Sequence, residues 1–131
     1  MASGLLDTSV VIDWEDPRVS QELPDELAIS AVTAAELTAG PHLARDPKEA
    51  AKRQARLQEV EALLEPLPLD AACVRSYGLV IAATTRQGRG RPRFADLLIA
   101  ATAHAHGLDL YTRNGSDFDG LDGLVRVVNI A

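Results

Sequence analysis

Short apolar runs alternate along this chain with longer segments of helical periodicity. Gly4 to Leu6 open a buried strand that ends at Asp7, and Asp7, Thr8 and Ser9 offer polar caps for VVIDW, an apolar run able to turn into a helix. A polar, proline-bounded segment, DPRVSQELPDE, leads to LAIS as a second short strand. AVTAAELTAG then reads as a helix capped by Ser30 or Thr33 and disrupted at Gly40-Pro41. From Pro47 to about Leu64 the stripe of Ala51, Ala55, Val60, Leu63 and Leu64, with charges opposite, predicts a strong amphipathic helix. EPLPL is a third extended piece, and DAACVRSYGLVIAATTRQG a helix capped by Asp70 and closed by Gly88. RPRFADLLIAATAHAHG is apolar nearly all round, which predicts a helix buried between layers and ended by Gly107. DLYT is a fourth strand and LVRVVNI a fifth.

Strands alternating with helices over 131 residues predict an α/β fold: a three-layer α/β/α arrangement around a central, mostly parallel sheet of about five short strands, in a single domain spanning residues 1 to 131. With 47% hydrophobic residues the chain can bury a real core. No apolar run reaches the roughly 18 residues of a membrane span, and MASGLLDTSVV lacks the basic start and long apolar centre of a signal peptide, so no membrane association and a cytoplasmic location are expected. The single cysteine, Cys73, sits in DAACV and reads as a small core residue. His104 and His106 fall near a helix end, where cations are favoured, without matched ligand spacing. Trp14 and Phe94 read as packing or interface residues, since aromatics make up only 4% of the chain.

Charge refines the picture. A net charge of −6 argues against a general nucleic-acid-binding surface. Yet four of the eleven arginines, Arg86, Arg89, Arg91 and Arg93, fall in the acid-free stretch RQGRGRPR, which is either a cationic loop able to touch phosphates or a solvated connection.

In an open α/β sheet, ligands bind outside the carboxyl ends of the strands. Four acids map there: Asp7 after the first strand, Glu36 in the helix after the second, Asp96 in the first turn of the buried helix, and Asp117 after the fourth strand. Each has a structural role open to it singly, as an N-cap, an exposed helix residue, a partner of a helix dipole or a turn residue. Together they would repel unless cations neutralised them. Hard oxygen ligands without His or Cys suit Mg²⁺ or Mn²⁺, and such a site does phosphoryl chemistry by activating a bound water. TRNGSDFDGL, rich in oxygen donors, would then complete a metal site assembled from four segments.

The ordered set LLDTSVVID, SAVTAAELTAG, FADLLIAATAHAHG and LYTRNGSDF resembles the PIN-domain ribonucleases, particularly the VapC-type toxins of bacterial toxin–antitoxin pairs, across essentially the whole chain. The resemblance implies a Mg²⁺-dependent endoribonuclease acting on RNA, usually a homodimer, inhibited by a cognate VapB-type antitoxin whose tail occupies the acidic groove. Asp7, Glu36 and Asp96 match the first three family acids. Many members carry Asp two residues after the Thr of the TR motif, where this chain has Asn114; Asp117 is then the candidate for the fourth carboxylate, with Asn114 a neutral ligand or orienting donor. Thr8, Ser9 and Thr112 are expected either to orient carboxylates or phosphate or to serve as plain caps. Arg113 and the Arg86 to Arg93 loop are expected to steer the RNA phosphates. Two other readings remain open at this level. Asp7 after a first strand could be an aspartyl-phosphate nucleophile, although the second acid of a DxDxT motif is replaced by Ser9. Alternatively, the acidic groove could serve only to capture a basic peptide through charge-assisted pairs.

Overall fold

The structure, a computed structural model, describes residues 2–86, 93–121 and 123–130, with Arg86 by its backbone alone. The elements in order are β1 (Ser3–Leu6), α1 (Thr8–Val11), α2 (Pro17–Ser20), β2 (Glu26–Ala28), α3 (Ala31–Leu43), α4 (Pro47–Leu63), α5 (Ala71–Arg86), α6 (Phe94–His106), β3 (Asp109–Thr112), a 3₁₀ turn (Gly115–Phe118) and β4 (Val127–Asn129). The four strands form one sheet in the order β2-β1-β3-β4, parallel throughout. From β1 the chain first goes to one side, to β2, and later to the other, to β3. The order therefore reverses at β1, and a crevice is expected at the carboxyl ends of β1 and β3.

Consecutive strand residues point to opposite faces, and the core divides accordingly. Leu5 and Leu110 belong to a cluster with Val80, Leu97, Ile99 and Phe118, on the side of α5 and α6. Leu6 and Tyr111 belong to a second cluster with Val10, Val11, Leu37, Leu57 and Val60, on the side of α1, α3 and α4. This is the three-layer arrangement expected. As its composition predicts, α6 buries Leu97, Ile99 and the run Ala100 to Ala103. It ends where Gly107 takes the left-handed conformation (φ 64°) and Leu108 N–H reaches back to the Ala103 carbonyl. Cys73 is fully buried, as expected of a core residue.

The differences have local causes. Among the described residues four strands form the ladder, and EPLPL contributes only Leu67, bridged in parallel to Ser30 through its N–H to the Ile29 carbonyl and its own carbonyl to Ala31 N–H. Pro66 and Pro68 on either side have no N–H to continue a ladder. Gly40-Pro41 does not end α3, which runs to Leu43. Proline in the last turn forfeits a single helical bond there, a smaller penalty than at mid-helix. Asp16 and Pro17 form a cap and first position for α2, a helix hidden in a segment that reads as polar connection. Ser30, rather than Thr33, caps α3. α6 begins at Phe94, because Arg93 is extended; the expected closure of α5 at Gly88 lies outside the described residues. Among the described residues no helix is long and apolar enough to cross a membrane.

Candidate functional site

Where β1 ends, Asp7 N–H still bonds the Tyr111 carbonyl of β3 (2.8 Å), so the carboxylate leaves the sheet at its crevice. Asp7 is buried and caps α1, its Oδ1 accepting Thr8 N–H at 2.9 Å. Its Oδ2 accepts the hydroxyls of Ser9 and Thr112, each at 2.8 Å. Those hydroxyls are held in turn: Ser9 Oγ accepts Arg113 N–H (3.1 Å) and Thr112 Oγ1 accepts Asn114 N–H (3.0 Å). Thr8 serves the next acid, its hydroxyl donating to Glu36 Oε1 at 2.6 Å and lying 3.1 Å from Thr33 Oγ1. Thr8, Ser9 and Thr112 thus each donate a hydroxyl hydrogen bond to a carboxylate.

Asp96 lies in the first turn of α6 and is only 8% exposed. Its carboxyl is pushed up from the ordinary 3.8 to about 6: burial is the main cause, Asp7 raises it further, Arg93 opposes, and Asp117 and Glu36 add to the rise. Asp7, Glu36 and Asp117 are therefore each within electrostatic reach of Asp96. Asp117 stands exposed on the 3₁₀ turn, its N–H on the Asn114 carbonyl (2.9 Å), and the exposed Asn114 begins that turn. Arg93 places a guanidinium nitrogen 3.6 Å from Glu36 Oε2.

The convergence stops short of a ready cage: among the described residues, no three Asp, Glu, His or Cys side chains are close enough to hold one ion together. Like charges without a cation between them stay apart, and Asp7's oxygens are already engaged by Thr8, Ser9 and Thr112. The donor set is all oxygen, with an excess of negative charge that Asp96 registers. It fits a hard divalent cation held by one or two carboxylates that keeps most of its water, as Mg²⁺ does.

Arg113, expected to meet phosphate, gives a guanidinium hydrogen bond to Asp13 Oδ2 at 2.6 Å and is largely covered. Arg89 and Arg91, and the side chain of Arg86, lie outside the described residues. Two residues with structural parts at the site escaped the sequence reading: Asp13, which anchors Arg113, and Asn129, whose Oδ1 accepts Gly115 N–H at 2.7 Å and clasps the loop before Asp117; Thr33, read only as a possible cap, lies instead against the Thr8 hydroxyl. Each acts across a long sequence separation that no local pattern records. His104 lies away from the acids, its Nδ1 2.8 Å from Ser76 Oγ. Trp14 is buried with Nε1–H on Glu59, whereas Phe94, expected to be a packing or interface residue, stands 64% exposed with its ring edge to face on Tyr77.

The PIN domain matches residues 4–124. Ribonuclease VapC5 of Mycobacterium tuberculosis is 39% identical over 128 residues, covering 96% of this chain and 93% of that protein. Ribonuclease VapC4 of the same organism is 36% identical over 85% of each chain. The crystal structure of VapBC-5, a member of the VapBC family of toxin–antitoxin systems from M. tuberculosis, superposes with a TM-score of 0.84 at 37% identity, covering 99% of this chain and 98% of that one. Fold, order of acids and whole-length similarity agree: the chain belongs to the PIN-domain family, among the VapC ribonucleases.

Proposed function

We propose that this protein is a Mg²⁺-dependent endoribonuclease toxin, one domain over residues 1–131, that acts in the cytoplasm and is neutralised by a VapB-type antitoxin. The observation that carries the reading is a pair of buried carboxylates at the crevice: Asp7, held by the Thr8 N–H and the Ser9 and Thr112 hydroxyls, and Asp96 in the first turn of α6, whose raised carboxyl reflects burial and the charges of Asp7, Asp117 and Glu36. Asp7 and Asp96 would hold the principal Mg²⁺, with Mn²⁺ able to replace it; Glu36 and Asp117 would complete the site or position the attacking water, with Asn114 a neutral donor beside them. Bound there, the ion supplies a water of lowered pKa and a charge that stabilises the leaving oxygen. The chain's own part is positional. Ser9 and Thr112 fix Asp7 and Thr8 fixes Glu36; Glu36 would accept the proton of a water attacking phosphorus in line, with the 3′-oxygen leaving and the 5′-phosphate remaining on the other product. Arg93 and the arginines before it meet the flanking phosphates. Two copies associate as a homodimer.

Titration with Mn²⁺ and a cleavage assay on single-stranded RNA test this together. Asp7→Asn and Asp96→Asn are expected to weaken metal binding at least tenfold and abolish cleavage while remaining folded. The lack of a three-ligand cluster among the described residues favours one competitor, an acidic groove that only captures a basic peptide. Unchanged metal affinity in both variants, with an arginine-rich peptide still bound, would establish that competitor.

A further inference from the structure

Beside Glu36 the surface sinks into a cavity of about 420 Å³ between α1, α3 and α4, and Thr8 and Glu36 form part of its lining. The wall contributed by α4 carries three cations, Lys52, Arg53 and Arg56. Spacing along α3 shows how near that wall stands to the acids. Gly40 follows Glu36 by four residues, which puts it on the same side of the helix about 6 Å further along. The Arg53 guanidinium donates to the Gly40 carbonyl at 2.9 Å, so α4 brings its cations to within about one helical turn of Glu36.

The charges on this lining do not cancel evenly. Asp13 is taken by Arg113 at 2.6 Å, Glu49 by Arg53 at 3.2 Å, and Glu36 by the Thr8 hydroxyl and Arg93. Arg56 is shared between Glu15 and Glu59. Lys52 is exposed and meets no carboxylate among the described residues, and neither hydrogen bond of Arg53 uses its Nη2. The cavity therefore keeps an ammonium and half a guanidinium for a ligand. Beside them stand two exposed apolar side chains, Ile12 (51%) and Leu43 (73%). Cations next to apolar surface suit an anion carried on a less polar body, and a nucleotide has that constitution. We propose that Lys52 and Arg53 hold the phosphate adjoining the cut phosphodiester, and that Ile12 and Leu43 support the ribose and base of the nucleotide that bears it. The inference rests on the ribonuclease reading. It gives the strand a grip from α4 in addition to the arginines before α6.

The test compares the parent with Lys52→Gln, Lys52→Arg and Arg53→Gln. Arg75→Gln is the control, removing the same charge near the start of α5, on the other face of the sheet. KM, kcat and the salt dependence of affinity in chelator are measured on a single-stranded oligoribonucleotide. The series is repeated with one uncharged methylphosphonate placed at each position in turn. Lys52→Gln should raise KM about 3- to 10-fold, between the effect of an exposed ion pair and that of a charge-assisted hydrogen bond, with kcat changing less. Its salt slope should fall by about 0.7, one phosphate contact on a single strand. Lys52→Arg should restore both, and Arg53→Gln, its folding checked by melting, should act as Lys52→Gln does. A methylphosphonate beside the cut should cost the parent as much as Lys52→Gln, and the two together no more than either alone. Lys52 has no partner in the fold to lose, so Lys52→Gln decides. Parental KM and slope in that variant overturn the inference, and so does an equal loss in Arg75→Gln, which makes the effect one of net charge. Parental RNA binding with lost binding of an oligoglutamate peptide overturns it too, giving the cavity to a protein segment. If the parent itself neither binds nor cuts RNA, the ribonuclease reading falls and takes this inference with it.

Discussion

The Asp96 carboxyl bears the cost of the site. A carboxyl raised from 3.8 to about 6 disfavours the folded state once ionised. The penalty is complete above about pH 6, falls as pH drops through that value, and is gone below 3.8, where the group is protonated in both states. The interval corresponds to roughly 3 kcal/mol at 1.36 kcal/mol per tenfold change. Metal-free Asp96→Asn is therefore expected to be more stable than the parent by up to about 3 kcal/mol at pH 8, with the gain shrinking to nothing near pH 4. Denaturant melts in chelator across that range measure it. A gain that does not vary with pH would mean that ionisation of Asp96 is not the cause. The same substitution is expected to remove cleavage, so that stability and activity would move in opposite directions at one residue.

At the scale of elements, two glycines should respond with opposite signs. A Cβ on Gly4 in β1 would come 2.4 Å from the Tyr111 ring and 2.9 Å from Pro24, so Gly4→Ala is expected to cost about 1–3 kcal/mol. Gly78 lies in the interior of α5 with nothing within 4 Å of an added Cβ, and Gly78→Ala should stabilise by about 0.5–1 kcal/mol. Melting temperatures of both variants check the pair; loss in both would mean that α5 packs against something on its outer face. Elements were also the scale at which the chain was most readable. Polar caps beside apolar runs mark where β1 becomes α1 and where α3 and α5 begin, and the all-round apolar α6 announces its burial. Leu67 was misjudged because a proline-rich extended run looks like a strand until its missing N–H groups are counted. Less could be read of how the acids are supported. The Thr112 and Ser9 hydroxyls on Asp7, and Arg113 on Asp13, join residues brought together by the β1–β3 pairing, and no periodicity encodes that register.

For the molecule as a whole, the balance of charge decides how RNA is held. With a net charge of −6, long-range attraction must come from a local source, and the arginines before α6 are the acid-free group in the chain. Changing Arg89, Arg91 and Arg93 together to Gln is expected to raise the RNA concentration for half-maximal cleavage and lower the salt slope by up to roughly 2, at about 0.7 per lost phosphate contact on a single strand. Because Arg93 lies against Glu36, the same variant should bind Mn²⁺ somewhat more tightly, an internal competitor having gone. Cleavage measured from low to moderate salt reads the first effect and metal titration the second; an unaltered slope would show that the strand is gripped elsewhere.

The prolines around Leu67 also bear on how this chain meets other chains. A sheet margin with free N–H and C=O groups is a template for another strand, and so for aggregation. Here the margin beyond β2 is met by one bridging residue between two prolines, which cannot donate to an incoming backbone. A toxin has to survive intervals without its inhibitor, when nothing covers its surfaces. A margin partly blocked in this way suits such intervals.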